Sequence, residues 1–294
     1  MRIQNLLVNS ILCLCFLCLS LTAGSATLAQ NDEPTDENRA SAIPSASAEA
    51  AVRRFMKESV LIQPGTPPFP RKFAVGSRTP AEFELQYRET ELPSEFRIAK
   101  FETTQELYLA VMGRNPSRWQ GPRNSVENVQ YSDAVAFCET LTTRLQAMQL
   151  IPNNEVVRLP TAVEWEYCCR AGSSTRYGFG DSVRDSVRDP EAAAGTELLD
   201  TYAWHTGNAA GNDPAVGVLK PNAWGLYDVH GYLSEFVSGS DPSVASGQER
   251  LRMIRGGSWK DQHPRLSSST YFMIPGDSAD DAVGFRCIIA KKLP

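Results

Sequence analysis

The chain has 294 residues, 42% of them hydrophobic and 21% charged, which is the balance of a globular protein with enough apolar material for a core. Its formal net charge of −5 gives no support to a nucleic-acid partner, because such partners require a basic face. The 20 glycines and 19 prolines predict many turns and short secondary-structure elements.

Residues 1–29 have the pattern of a signal peptide. Arg2 gives a positive start, residues 11–21 are almost entirely apolar, and small residues lead to Ser25 and Ala29, after either of which cleavage is expected. The apolar run is too short for a typical membrane-spanning helix, so we expect no transmembrane helix after cleavage; an uncleaved membrane anchor is the alternative. The sequence therefore predicts an exported protein, periplasmic or extracellular.

The rest of the chain is predicted to be a flexible acidic linker over residues 30–50, followed by one domain over residues 51–294. The linker is polar and rich in Ser, Ala, Pro and Glu, a composition that cannot bury enough apolar surface to fold. A short helix is predicted near residues 49–56, and the prolines after it predict edge strands and turns. Residues 96–101 alternate at period two and predict a strand.

Two amphipathic helices are predicted in the first half of the domain. Thr103 or Thr104 is expected to cap the first helix, which ends at Gly113 because glycine commonly follows the last helical turn. Ser132 is expected to cap the second, longer helix. The apolar stripe of that helix consists of Ala134, Phe137, Cys138, Leu141 and Leu145. Trp119, in the loop between the helices, is predicted to fill the core.

A third helix begins at a capping box. Pro160 disfavours helix at the residue before it, Thr161 stands at the N-cap, and Glu164 lies three residues further on. In this arrangement the Glu164 carboxylate accepts a hydrogen bond from the N-cap amide, while the Thr161 hydroxyl accepts one from the amide of Glu164. The pattern predicts a strand-to-helix corner and carries no function by itself.

The second half of the domain is predicted to be mostly loop. Residues 190–225 show little periodicity, and a long loop of this kind in a compact domain is often functional. Residues 252–254 predict a strand that stops at a pair of glycines. Residues 284–290 predict a final apolar strand that carries Cys287.

Four of the seven cysteines lie beyond the signal peptide: Cys138, Cys168, Cys169 and Cys287. An even number in an oxidising compartment suggests disulfides, and four cysteines allow three pairings. A bond between the neighbours Cys168 and Cys169 would be strained, so at least one of them is expected to lie outside such a bond. These four cysteines include no Cys-x-x-Cys spacing and the three histidines are scattered, so no zinc site is expected.

Short motifs then follow one another in a defined order along the chain. They are Phe101-Glu102-Thr103-Thr104-Gln105, Val111-Met112-Gly113-Arg114-Asn115-Pro116-Ser117, Asp133-Ala134 with Phe137-Cys138, Arg158-Leu159-Pro160-Thr161 with Glu164-Trp165-Glu166-Tyr167, Asn222-Ala223-Trp224-Gly225-Leu226-Tyr227-Asp228, Arg255-Gly256-Gly257-Ser258-Trp259 and Gly284-Phe285-Arg286-Cys287. The series resembles the formylglycine-generating enzyme (sulfatase-modifying factor) family over about residues 55–294. The resemblance implies an α+β, C-type-lectin-like single domain of the formylglycine-generating enzyme type, with few regular elements and long ordered loops.

The same resemblance implies an active groove, in which enzymes of the family oxidise a sulfatase cysteine to formylglycine with molecular oxygen and copper(I) bound by two cysteines. The implied copper-ligand positions are occupied here by Asp261 and Leu266. Copper(I) is soft and prefers thiolates, so we do not expect copper as a cofactor. The implied groove residues are Trp259, Asp261, His263 and Arg265, which form either a reshaped binding site or a solvated loop over an inactive one.

The resemblance also implies a structural calcium site. Its ligands would be the carboxylates and backbone carbonyls of Asp228, Val229, Gly231, Leu233 and Glu235, since calcium prefers several oxygen ligands. The alternative is that Asp228 caps a turn and Glu235 pairs with an arginine.

A disulfide between Cys138 and Cys287 is implied by the resemblance to secreted members of the family, and it would close a long loop. The partner position that the family has for Cys169 falls near Thr270, which has no thiol. Cys168 and Cys169 are therefore expected to be buried free thiols, and a disulfide between these neighbours is the alternative.

Three functions follow from these observations, and whether the protein is an enzyme stays open between them. The first is an exported, non-oxidase binding or accessory module whose partner is a sulfatase, another exported protein or a glycan. The second is an active oxidoreductase of the superfamily that uses a different centre. The third is a lectin-like binder of carbohydrate or peptide, which rests on the fold alone.

Overall fold

The computed structural model describes residues 46–183, 198–210, 213–239 and 250–292. The predicted signal peptide and most of the predicted linker lie outside these residues, as does part of the predicted loop over residues 190–225. Within the described ranges, no helix is both long enough and apolar enough to cross a membrane.

The described residues contain short elements joined by long loops. The α-helices are α1 (Ala46–Lys57), α2 (Gln105–Met112), α3 (Tyr131–Ala147) and α4 (Ala162–Arg170), and 3-10 helices occur at Leu199–Thr201 and His263–Leu266. The first strands are β1 (Ser59–Ile62), β2 (Lys72–Val75), β3 (Arg88–Glu91), β4 (Phe96–Ala99) and β5 (Glu155–Arg158). The later strands are β6 (Ser234–Phe236), β7 (Leu251–Arg255), β8 (Tyr271–Pro275), β9 (Val283–Gly284) and β10 (Ile288–Lys291).

The described strands form three sheets. One sheet has the order β1-β4-β10-β5 with antiparallel neighbours, and a second consists of β2 and β3. The third has the order β8-β7-β6-β9, in which only the short β6–β9 contact is parallel. The predicted α+β fold of short elements and long ordered loops is therefore confirmed.

Helices α2 and α3 start and end largely where the sequence predicts. Thr104 is the N-cap of α2, and Gly113 closes it with a φ angle of 72°. The predicted cap of α3 is wrong: the N-cap is Gln130, whose amide donates to the carboxylate of Asp133, and Ser132 lies inside the first turn. The predicted stripe is buried along its whole length, at Ala134, Phe137, Cys138, Leu141 and Leu145. Helix α1 begins at Ala46, so the last residues of the predicted linker are helical.

The capping box at the start of α4 is confirmed. The amide of Thr161 donates to Glu164 Oε2 over 2.8 Å, and the Thr161 hydroxyl accepts from the amide of Glu164 over 3.2 Å. Arg158, at the end of β5, donates to both oxygens of the same carboxylate at 2.8 and 2.7 Å. Because Glu164 bonds the strand as well as the helix, it fixes the angle of the corner between them.

The predicted final strand over residues 284–290 is wrong as a single element. Val283 and Gly284 form β9 in one sheet, and Ile288 starts β10 in another. The break occurs because Arg286 turns into a buried cluster of charges between the two strands. The segment also joins the two large apolar clusters of the interior, since Phe285 packs in the cluster with α1–α3 and Ile288 in the cluster with α4.

Candidate functional site

A pocket with a volume of about 180 Å³ lies where several of the long loops meet. Four aromatic side chains line it: Trp119, Trp204, Tyr232 and Trp259. Three carboxylate side chains also line it: Glu127, Asp213 and Asp281. Among the described residues of its lining, none carries a basic side chain. We call this the aromatic pocket.

Two consecutive glycines position the aromatic wall. Gly256 and Gly257 directly follow β7 and have φ angles of 90° and 68°, a region that other residues rarely adopt. The chain then turns so that the amide of Trp259 donates to the carbonyl oxygen of Tyr232 over 2.9 Å. The Tyr232 hydroxyl donates to the carbonyl oxygen of Pro214 over 2.6 Å, which holds its ring in place at the pocket.

Glu127 is the buried carboxylate of the aromatic pocket. The residue is 3% exposed, and its Oε1 accepts hydrogen bonds from the backbone amides of Arg118 and Trp119. Its other oxygen, Oε2, is buried and has no hydrogen-bond partner among the described residues. Burial raises the pKa of Glu127; the two amides oppose this rise, and the carboxylates of Asp281 and Asp213 add to it.

Trp204 brings an unpartnered donor to the same pocket, because its indole Nε1 is buried and, within the described part of the chain, has no hydrogen-bond partner. The lining thus contains both a buried acceptor and a buried donor that the protein leaves unsatisfied. Leaving such a group unpaired costs about 1–3 kcal/mol, so native structures rarely keep one without a reason. A ligand that supplies both partners would give that reason.

The outer side of the pocket carries two basic residues that pair with Asp281. Arg118 Nη1 lies 3.2 Å from Asp281 Oδ2, and Lys260 also pairs with this carboxylate. The guanidinium of Arg118 lies 4.7 Å from the ring centre of Trp119, and Lys260 Nζ lies 5.2 Å from that of Trp259. Two of the indole rings therefore already contact positive charges at the rim.

Of the four groove residues predicted from the sequence, only Trp259 lines the aromatic pocket. Asp261 accepts hydrogen bonds from the Ser258 amide at 2.9 Å and hydroxyl at 2.8 Å, so it stabilises a turn. Arg265 lies 3.6 Å from Asp261, and its guanidinium also packs over the rings of Phe83 and Phe272.

His263 begins a 3-10 helix, and its carbonyl oxygen accepts a hydrogen bond from the Tyr177 hydroxyl over 2.7 Å. Burial lowers the pKa of the imidazole, and the charges of Arg176 and His205 lower it further. Leu266 ends the same helix and is fully buried in a small apolar cluster with Tyr177.

Sequence reasoning missed most of the pocket. Trp119, predicted to fill the core, is 45% exposed and contributes to the pocket wall instead. Trp204 lies in the predicted functional loop but showed no pattern that distinguished it. Glu127 follows a turn rich in Gly, Pro and Asn, and its position next to Val126 and two residues before Val129 gave the only sequence signal of a buried carboxylate.

The predicted calcium stretch contains a buried ion pair. Glu235 and Arg286 are each 1% exposed, and the guanidinium donates to Oε1 over 2.6 Å and to Oε2 over 2.7 Å. The indole of Trp165 also donates to Oε2 of Glu235 over 2.8 Å. The carboxyl groups of Asp228 and Glu102 are buried nearby and interact electrostatically with the pair. We call Glu102, Asp228, Glu235 and Arg286 the buried charge cluster.

These contacts do not fit the predicted calcium site. Both oxygens of Glu235 already accept hydrogen bonds, and Asp228 Oδ2 accepts one from the amide of Gly217 over 2.8 Å. Over the described ranges, no group of three or more His, Cys, Asp or Glu side chains is arranged to hold a metal ion. The contacts agree with the alternative, in which Asp228 holds a turn and Glu235 pairs with an arginine.

We therefore expect calcium to leave the melting temperature of the protein unchanged. Addition of about 1 mM calcium chloride, or of a chelator, should shift it by less than about 1 °C. Differential scanning calorimetry with magnesium as the control measures this. A calcium-specific rise that Glu235→Ala abolishes would show that the ion displaces Arg286 from the carboxylate.

The buried charge cluster also predicts a pH dependence of stability. Burial raises the pKa of Glu102 well above its usual range, with repulsion from Glu235 and Asp228 adding to it; burial also raises the pKa of Asp228 to about 6. Carboxyl groups with raised pKa values contribute stability that is complete below their unfolded pKa and is lost as the pH rises through the folded pKa. The free energy of unfolding should therefore fall progressively as the pH rises from about 4 to beyond 6, because the carboxyl groups of the cluster lose their protons.

Glu102→Gln should reduce this loss, because the uncharged glutamine side chain can keep both contacts. Its oxygen accepts the hydrogen bond from the backbone N–H of Leu233, and its NH2 group donates to the hydroxyl of Ser125. Urea unfolding at pH 5 and pH 8 measures the difference in the free energy of unfolding. The exposed Glu95→Gln serves as the control and should leave the pH slope as it is in the wild type. An unchanged slope in Glu102→Gln would contradict the assignment.

The structure has Cys138 and Cys287 as free thiols, with their Sγ atoms 3.6 Å apart, so the predicted disulfide is not formed in it. It nevertheless places the two thiols side by side in the core, as that prediction requires. Cys168 and Cys169 are buried, and their thiols are free in the structure.

The fold and the sequence agree with one family of known proteins. The domain family described as sulfatase-modifying factor enzyme 1-like matches residues 44–291. "Treponema denticola variable protein 1" has a similar structure with a TM-score of 0.60 and 24% identity, covering 78% of this chain and all of that one. PvdO from Pseudomonas aeruginosa has a TM-score of 0.61 and 22% identity, covering 79% of this chain and 93% of PvdO. Both support the fold alone.

Three characterised relatives show distant similarity. Chaperone protein LppX of Paenibacillus barcinonensis is 29% identical over 196 residues, which is 56% of this chain and 70% of LppX. The inactive C-alpha-formylglycine-generating enzyme 2 of Mus musculus is 28% identical, and the formylglycine-generating enzyme of Bos taurus is 27% identical. The matches cover 58% and 64% of this chain but only 50% and 51% of those two proteins. By the family match over most of its length, the chain belongs to the sulfatase-modifying factor enzyme 1-like domain family.

Proposed function

We propose that the protein is an exported, non-oxidase binding or accessory module of this family. Its ligand site is the aromatic pocket, and its partner is another exported protein. The oxidation of a sulfatase cysteine is not its reaction, because the positions implied for the copper thiolates carry side chains that cannot replace thiolates.

This proposal rests on the contacts of Asp261 and Leu266, the residues at the two positions implied for the copper ligands. The Asp261 carboxylate holds the backbone turn at Ser258, and it offers only hard oxygen atoms. Leu266 is fully buried among apolar side chains, so its position neither offers a ligand nor faces a groove. No cysteine occurs between Cys169 and Cys287, so this stretch of the chain supplies no other thiolate.

The relatives support a binding role without defining it. One of them is named a chaperone protein and another an inactive formylglycine-generating enzyme, so a domain of this kind is associated with functions other than oxidation. The pocket supports the same view, because it combines aromatic walls with unsatisfied polar groups, which is typical of a site for a small group of a ligand.

A copper(I) titration combined with an oxygen-consumption assay tests the proposal. The substrate is a cysteine-containing sulfatase peptide, and the bovine formylglycine-generating enzyme is the positive control. We expect neither tight two-coordinate copper binding nor oxygen uptake above the rate without protein. Stoichiometric copper binding with conversion of the peptide cysteine would overturn the proposal and would favour an active oxidoreductase instead.

Export has its own test. When the full chain is expressed with its N-terminus intact, the mature protein should begin at about residue 26 or 30 and be recovered outside the cytoplasm. N-terminal sequencing of the recovered protein, or mass spectrometry, locates the cleavage point. A cytoplasmic product that retains residues 1–29 would contradict export.

A further inference from the structure

We propose that the aromatic pocket binds an alkylammonium group, such as the side-chain amine of a lysine in a partner protein, with Glu127 as its counter-ion. This inference rests on the proposed function of a non-oxidase binding module and adds the chemistry of the ligand. It follows from the charge of the lining, from the aromatic walls and from two unsatisfied polar atoms.

The charge of the lining favours a cation. Three carboxylates and no basic side chain lie among the described lining residues. Arg118 and Lys260 at the rim compensate Asp281, but neither contacts the free oxygen of Glu127. Asp213 accepts a hydrogen bond from the neutral amide of Asn124, which leaves its charge uncompensated as well. A ligand that brings one positive charge would correct this imbalance, whereas an anion would be repelled.

The aromatic walls suit the same group. Indole and phenol rings attract cations through the negative charge of their faces, and several such rings around one point form the usual site for an organic ammonium ion. Trp119 and Trp259 already contact the cations of Arg118 and Lys260 in this way. The volume of about 180 Å³ suits the end of one side chain rather than a folded segment.

The free acceptor points to an ammonium rather than a guanidinium. Glu127 Oε1 accepts hydrogen bonds from two backbone amides, so Oε2 is the oxygen left without a partner among the described residues. A guanidinium binds best through two parallel hydrogen bonds to both oxygens of a carboxylate, which this arrangement does not offer. An ammonium is a point charge that needs only one strong acceptor, and a single buried oxygen meets that need.

The unpartnered indole of Trp204 restricts the chemistry of the ligand further. Its Nε1–H needs an acceptor, which an ammonium ion lacks but a peptide carbonyl beside a lysine supplies. A sugar hydroxyl could satisfy both Trp204 and Glu127 without a charge, so a saccharide is the competing ligand. The lysine side chain and the saccharide differ in charge, so the experiment compares charged and neutral probes.

The experiment is a nuclear magnetic resonance titration of the full mature protein labelled with nitrogen-15, carried out at pH 8 because a high pH favours the ionised form of Glu127, whose pKa is raised. The chain has five tryptophans, and Trp204→Phe assigns the indole signal of that residue. N-acetyl-lysine-N-methylamide is the probe. The norleucine analogue tests whether binding needs the positive charge, and the arginine analogue tests whether a guanidinium can replace the ammonium. Methyl glucoside tests whether the pocket binds a saccharide instead.

We expect the lysine probe to bind and to shift the Trp204 indole signal, with at least tenfold weaker binding of the arginine analogue and no binding of the other two. Glu127→Gln, which keeps the shape and the acceptor for the two amides, should weaken binding of the lysine probe at least tenfold. The exposed Glu95→Gln is the matched control and should bind as the wild type does. Unfolding midpoints of both variants show whether the fold is intact.

Equal binding of the lysine probe to Glu127→Gln would overturn the inference, and so would binding of methyl glucoside without binding of the lysine probe. An absence of shifts with every probe would overturn it as well. The copper and oxygen assay on the same preparation keeps the two proposals separate. Oxygen uptake would contradict the non-oxidase function, whether or not the lysine probe binds. If there is no oxygen uptake and the lysine probe does not bind, only the proposed ligand chemistry is contradicted.

Discussion

Replacing Arg286 with methionine should lower the free energy of unfolding by about 3–5 kcal/mol. The change would leave Glu235 charged in an apolar interior without the guanidinium that now donates to both of its oxygens. The carbonyl oxygen of Tyr227 would lose its donor as well. Urea denaturation followed by circular dichroism measures the loss, and the nearby carboxyls of the buried charge cluster should make it larger at pH 8 than at pH 5.

Two further variants make this result specific. Arg265→Met removes an arginine that is 53% exposed and pairs with Asp261 at 3.6 Å, so it should cost less than about 1 kcal/mol. The double variant Arg286→Met with Glu235→Gln removes both charges and should recover part of the loss. If Arg286→Met alone costs less than about 1 kcal/mol, the pair does not hold the core together as described.

Protein folded under oxidising conditions should contain a Cys138–Cys287 disulfide, and Cys287→Ser should then cost about 2–5 kcal/mol. The two residues are 149 positions apart, and their sulfur atoms lie 3.6 Å from each other in the core, so the bond would close a long loop with little movement. Non-reducing peptide mapping detects the crosslink, and urea denaturation measures the stability.

A reducing agent provides the control for this prediction. It should lower the stability of the wild type toward that of Cys287→Ser and leave the variant itself unchanged. Recovery of both residues as free thiols from the oxidised preparation would contradict the bond, and the pair would then contribute to the core only as two small apolar side chains.

Local rules account for the elements that the sequence predicted correctly. The caps at Thr104 and Thr161 depend on a few neighbouring residues, and the stripe of α3 depends on helical spacing alone. The errors arose where distant residues decide the structure. Ser132 lies inside α3 because the helix already begins at Tyr131, whose amide donates to the carbonyl oxygen of the distant Gly276. The last strand divides because Arg286 pairs with a cluster drawn from three other segments.

The candidate site was less accessible to sequence reasoning than the fold. Trp259 was found because it lies in a short motif after two glycines, but the pocket around it comes from residues that are more than 100 positions apart. Asp261, His263 and Arg265 were predicted to be functional because the family resemblance placed them in the active groove, and their contacts turned out to stabilise a turn and a 3-10 helix. Unsatisfied atoms such as Glu127 Oε2 can be recognised only in three dimensions.

The position of β10 between β4 and β5 has a consequence for how the chain is made. Two of the three strand contacts in that sheet require residues 288–291, so the sheet cannot close until the ribosome has passed them. Earlier segments then have no complete sheet to join during synthesis. If the chain crosses a membrane by threading through a narrow channel, this order is an advantage, because there is little tertiary structure to unravel beforehand. The fold would then close only after the segment with β10 has arrived on the far side.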